Sequence, residues 1–149
     1  MEKERTLTSI KHKSVKNSFF IYYSHSLKHY NTEIEKEDLK FLQSLGHVIN
    51  PNGQGATREI FEYLFMVSEC DAVWYRGNTI GVAFEVLTAL AMRIPVYSLE
   101  TRQLINKAER TILIDIFQNS PFIDDLTMFE AMFPQAYPNF LRMLKGDIQ

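Results

Sequence analysis

Glu85 is the residue whose chemistry is hardest to dismiss in this chain of 149 residues. It stands in the second turn of a helix predicted over Thr79–Arg93, and nearly every other face of that helix is apolar (Ile80, Val82, Phe84, Val86, Leu87, Leu90, Met92). An ionised carboxylate is costly to bury without partners. Such a residue persists either because fixed donors satisfy it or because it does work. Gly81, one turn earlier on the same face, has no side chain, so a ligand could reach the backbone at the helix start and meet the carboxylate behind it. The helix start offers free N–H groups and positive potential to an anion, and the same field helps keep Glu85 ionised. Two alternatives stay open from the residues alone. Glu85 either accepts hydrogen bonds from the end of the first strand, Tyr22 among the candidate donors, and holds helix to sheet, or it reacts with a ligand.

The companions of Glu85 must come from loops near the same helix start. Ser24-His25-Ser26 closes an apolar run and offers two hydroxyls suited to a phosphate and an imidazole able to exchange protons near neutral pH. Arg76 and Asn78 follow another apolar run, and the arginine fork suits a phosphate. Asn52, in the polar loop Asn52-Gly53-Gln54-Gly55, could reach across a ligand. His25 and His29, four apart, lack a carboxylate partner at metal-ligand spacing, and no metal or cofactor is expected. The stripe Met128, Phe129, Met132 and Phe133 suits core or a dimer surface.

The elements that position these residues alternate. Ser18–Tyr23 is a continuous apolar run of strand length, as in strands covered on both faces. Thr32 and Glu35 match a capping box, so a helix should start there, with Ile34, Phe41 and Leu45 inward, Glu33, Lys36, Glu37 and Lys40 outward, and Gly46 as its C′ stop. His47–Asn50 is a second strand and Arg58–Glu69 a second amphipathic helix. Asp71–Tyr75 is a third strand, with Asp71 at its opening in a structural role. Ile94–Leu99 is a fourth strand and Thr111–Phe117 a fifth, while Asp124–Phe133 and Pro138–Lys145 read as helical. This is an α/β pattern: a doubly wound, mostly parallel five-stranded sheet with helices on both faces, Rossmann-like or flavodoxin-like. Ligands of such sheets bind at the carboxyl ends of the strands, where Ser24-His25-Ser26, Asn50-Pro51-Asn52 and Tyr75–Asn78 converge, with Leu99-Glu100-Thr101 a fourth candidate segment.

Composition bounds the rest. A hydrophobic share of 46% excludes disorder, and the length suits one domain, residues 18–149, behind a polar tail of residues 1–17. Sixteen basic against eighteen acidic side chains leave a charge of −2, so no nucleic-acid partner is expected. One cysteine, Cys70, makes no internal disulfide and suits the cytoplasm. The charged N-terminus and the short apolar runs argue against a signal and a membrane span.

From Phe19 to Leu99 the order of elements resembles the nucleoside 2-deoxyribosyltransferase-like superfamily. The resemblance is carried by Phe20-Ile21-Tyr22-Tyr23, Leu45-Gly46-His47-Val48, Asn50-Pro51, Cys70-Asp71-Ala72-Val73, Gly81-Val82-Ala83-Phe84-Glu85 and Arg93-Ile94-Pro95-Val96. The Gly-x-x-x-Glu helix start is also similar to that of the lysine-decarboxylase-like phosphoribohydrolases. The resemblance implies cleavage or transfer at the N-glycosidic bond of a nucleoside or nucleotide. Glu85 would be the nucleophile, Tyr22 its positioning partner and Gly81 the point of access. It also implies a homo-oligomer, a dimer or tetramer. Where the family usually carries an aspartate this chain has Thr79, beside Asn78, and neither is a general acid, which leaves His25 as the nearest candidate. A non-catalytic nucleotide or nucleotide-signal binder and a TIR-like NAD glycohydrolase are the alternatives.

Overall fold

The computed structural model describes residues 18–51 and 59–146. The polar tail of residues 1–17 and the loop carrying Asn52 lie outside the described residues. Strand β1 (Phe20–Ser24) leads through a 3-10 turn (Leu27–His29) to helix α1 (Glu33–Gln43), β2 (His47–Ile49), α2 (Ile60–Ser68), β3 (Ala72–Tyr75), α3 (Ile80–Ala91) and β4 (Val96–Ser98). A short β5 (Gln103–Leu104), α4 (Lys107–Gln118), a second 3-10 turn (Pro121–Asp124), α5 (Thr127–Met132) and α6 (Tyr137–Leu144) complete the described chain. The sheet order is β2-β1-β3-β4-β5, parallel except for the antiparallel edge pair β4–β5. This is the expected α/β, mostly parallel five-stranded sheet.

The two faces are unequally covered. Tyr22, Val73 and Val96 point into a large core with residues of α2, α3, α4, α5 and α6, whereas Ile21, Tyr23 and Trp74 meet Leu42 of α1 on the other face. Phe84 sits at the centre of the larger core, its ring centroid 4.8 to 6.0 Å from those of Phe61, Phe117, Phe122, Phe129 and Phe140. Helix α3 is thereby buried on nearly all sides, as its composition requires.

Three local expectations are corrected. Thr111–Phe117 is no strand but the body of α4: Asn106 and Glu109 form a reciprocal capping box, and Leu113 and Phe117, four apart, face the core. The fifth strand is instead the two-residue edge β5, reached by a hairpin in which Arg102 takes a left-handed φ of 62°. In α1, Ile34 and Leu45 are exposed, and the buried residues are Glu35, Asp38 and Leu42. Gly46 is not a left-handed helix stop. It is required because a Cβ there would collide with the carbonyl oxygen of Phe19, which already accepts the His47 N–H at 2.8 Å. Gly46→Ala is therefore expected to lower stability by about 1–3 kcal/mol, read as a lower urea midpoint at unchanged slope.

Candidate active site at the carboxyl ends of the strands

Strand periodicity decides which side chains meet. Alternate residues of β1 point to opposite faces, so Tyr22 and Ser24 turn toward α3, and Tyr23 toward α1. The Tyr22 hydroxyl donates to Glu85 Oε2 at 2.9 Å and the Ser24 hydroxyl to Oε1 at 2.6 Å. Both donors are fully buried, and Glu85 keeps 7% of its surface exposed. Burial pushes the Glu85 carboxyl up to about 7, against the opposing pull of the Ser24 and Tyr22 hydroxyls. Burial, and then the neighbouring carboxylate, hold the Tyr22 phenol well above its ordinary range, so it remains a donor. Removing the Ser24 hydroxyl takes away a bond that favours the charged form. Ser24→Ala is expected to raise the Glu85 midpoint further, by about one unit, in a carbon-13 NMR titration of the labelled carboxyl.

The structure thus brings Tyr22, Ser24 and Glu85 together. Ser24, expected as a substrate contact, is spent on the carboxylate. Gly81, at the start of α3, faces open space: a Cβ there meets no atom within 4 Å, so packing does not explain the glycine.

His25 is not brought to Glu85. Its ring stacks on Tyr23 (centroids 3.6 Å, planes 2° apart), Nδ1 lies 3.2 Å from Tyr23 O, and Nε2 lies 3.0 Å from Glu35 Oε2. It belongs to the α1 side of the sheet. Burial lowers its affinity for a proton, opposed by Glu35. Glu35 also accepts from the Asn31 backbone at 2.6 Å. Beside it, Asp38 binds Arg76 by both arms, Nε at 2.7 Å and Nη2 at 2.9 Å, and accepts the Tyr23 hydroxyl at 2.6 Å. Arg76 is accordingly clamped to α1, and the pairing favours its charged form further. Asp38 escaped notice in the sequence because it looks like one more charge on an acidic helix, and Glu35 was read only as a capping-box residue, whereas its side chain turns to His25 and the Asn31 backbone. The signal that could have found them is their i, i+3 spacing with Leu42 four residues beyond.

Two hollows open at this edge of the sheet. One, of about 280 Å³, is lined by Ser26, Lys28, His29, Arg76, Asn78 and Thr79 among others; a second, of about 190 Å³, is lined by Tyr75, Glu109, Ile112 and Leu113. Gly77, Asn78 and Glu100 line both, so the hollows adjoin. Glu85 is in neither lining. Along α3 it lies six residues past Thr79, which lines the first hollow, or roughly 9 Å along the helix axis. In the first hollow, Ser26 Oγ and His29 Nδ1 are buried without a hydrogen-bond partner. Ser26, Arg76 and Asn78 thus share one hollow as expected, and His29 joins them. Among the described residues no group of three or more His, Cys, Asp or Glu could hold a metal ion, and no helix is long and apolar enough to cross a membrane. No protein-family model, curated protein or solved structure matches the chain.

Proposed function

We propose that the protein breaks or transfers at the N-glycosidic bond of a nucleoside or nucleotide, with Glu85 as nucleophile. The observation that carries this reading is the grip on Glu85: a carboxylate at the start of a buried helix, each oxygen held by one hydroxyl, beneath an open glycine. A carboxylate so fixed can attack the anomeric carbon as the base departs, stabilise the oxocarbenium-like transition state and form a glycosyl ester. Water or a second base then displaces it. Tyr22 and Ser24 stay on the oxygens and fix the carboxylate plane. The hollow lined by Ser26 and Lys28 supports a phosphorylated substrate, although Arg76, also in its lining, is already paired with Asp38 and Glu100 adds a carboxylate.

The test is incubation with a panel of nucleosides, nucleoside monophosphates and NAD, followed by chromatography for free base. Base release by the parent protein, lost to background in Glu85→Gln, supports the reading. Release of nicotinamide from NAD alone would move it to the TIR-like glycohydrolase. One observation favours a second reading, a nucleotide binder without turnover. The Thr79 hydroxyl, standing where the resembled family usually has an aspartate, accepts the Val82 N–H at 3.3 Å as the cap of α3 and supplies no acid. Tight binding without release, unchanged in Glu85→Gln, would establish that binder. The exposed Met128 and Met132 on α5 support self-association, and the single buried Cys70 is compatible with a reducing compartment such as the cytoplasm.

A further inference from the structure

We propose that His29 is a catalytic residue that carries the proton the departing base requires; this rests on Glu85 acting as nucleophile. Breaking the bond between C1′ and the base nitrogen leaves an electron pair on the base, which departs poorly unless a proton arrives. Thr79 cannot supply one. His25 is locked between Tyr23 and Glu35 on the α1 side, and His47 opens β2, paired with Phe20 at the amino ends of the strands. His29 alone of the three histidines in the described residues lines the hollow that also contains Asn78 and Thr79, the cap of the helix bearing Glu85.

Buried polar atoms are almost always paired. Here His29 Nδ1 and Ser26 Oγ, buried atoms of two residues that line the same hollow, are not. The two residues are tied to each other by the His29 N–H donating to Ser26 O at 3.1 Å, so both orphaned atoms are set by one tight turn. A purine entering the hollow with its ring nitrogens toward this turn would give the two atoms the partners they lack.

In the first step a Glu85 oxygen bonds to C1′, the C1′–N electron pair moves to the base, and a proton of the His29 imidazolium passes to the base nitrogen, leaving neutral imidazole. In the second step the neutral imidazole accepts a proton from the water that attacks C1′ and becomes imidazolium again. The ester C–O bond breaks, its electrons return to the Glu85 carboxylate, and His29 regains its starting state.

The experiment compares two substrates in His29→Ala: a purine 2-deoxynucleoside or its 5′-monophosphate, and the same compound methylated at N7. The methylated base already carries positive charge and leaves without a proton. On the unmethylated substrate kcat is expected to fall about 100- to 10,000-fold, partly restored by added imidazole. On the methylated one it stays within about threefold of the parent value. His29→Asn, which keeps a polar group near the Nδ1 position, gives the same split if the alanine variant does not fold. Equal losses on both substrates, as expected if His29 merely binds an anionic phosphate, or no loss on either, overturn the proposal. So does a loss that follows Glu100→Gln, the exposed carboxylate in the lining of the same hollow, and spares His29→Ala. A parent protein that releases base from neither purine overturns this proposal, and one that releases base from no nucleoside, nucleoside monophosphate or NAD overturns the Glu85 reading with it.

Discussion

Glu85→Gln is expected to be more heat-stable than the parent protein at pH 8, while losing base release to background. The folded state holds the Glu85 carboxyl at about 7 because burial penalises its charge, whereas in the unfolded chain it titrates near 4.3. Between those values the folded state binds more protons than the unfolded one, so stability falls as pH rises across that window. Above it the ionised carboxylate costs on the order of 4 kcal/mol, a cost that glutamine does not carry. The amide can still accept one hydroxyl and donate to the other. At pH 8 the melting temperature should therefore rise by on the order of 10 °C, and at pH 3, where the parent carboxyl is protonated in both states, the two proteins should melt together. Calorimetry at the two pH values settles it. A lower melting temperature for the variant at pH 8 would mean that the carboxylate anchors helix to sheet and nothing more. A residue whose removal stabilises the fold and ends an activity is the signature of a group retained for function.

The second large effect is expected on the opposite face. Asp38→Ala should cost about 3–5 kcal/mol, toward the lower end because the Arg76 side chain keeps 21% exposure. The reason is that the loss is threefold. Arg76 is left charged without its bidentate partner, the buried Tyr23 hydroxyl loses its acceptor, and the link between α1, β1 and the turn after β3 opens. Asp38→Asn should fall well short of that figure, because it keeps the volume and one acceptor. Urea unfolding of both variants, with the slope unchanged, checks the ranking. An alanine variant within about 0.5 kcal/mol of the parent, the range of ordinary surface substitutions, would show that the clamp contributes nothing.

Much of the architecture was legible because each element is locally consistent. The continuous run Phe20–Tyr23 marks a two-sided strand, and the apolar Ile80–Ala91 a helix buried all round. Thr111–Phe117 was not legible as a helix, since its isoleucines satisfy a strand pattern as well as a helical one. The deciding signal lay five residues upstream, in the Asn106–Glu109 capping box. Within the site, Tyr22 was a candidate donor to Glu85 both for a carboxylate that ties helix to sheet and in the resembled family, and the observed bond is common to the two. The expected place of His25 failed for a reason of parity. Proximity in sequence to Ser24 suggested proximity to Glu85, but adjacent residues of a strand face opposite ways, and His25 continues the side of Tyr23. The unpaired nitrogen of His29 is a property of packing around a 3-10 turn, and no spacing rule announces it.

Mass spectrometry of the protein mixed with a slow substrate, a purine nucleoside fluorinated at C2′ to destabilise the oxocarbenium-like state, tests the nucleophile most directly. A sugar-sized adduct on the intact chain, mapped by peptide digestion to Glu85 and absent from Glu85→Gln, is the expected result. Base released with no adduct at Glu85, and released equally by the glutamine variant, would contradict it.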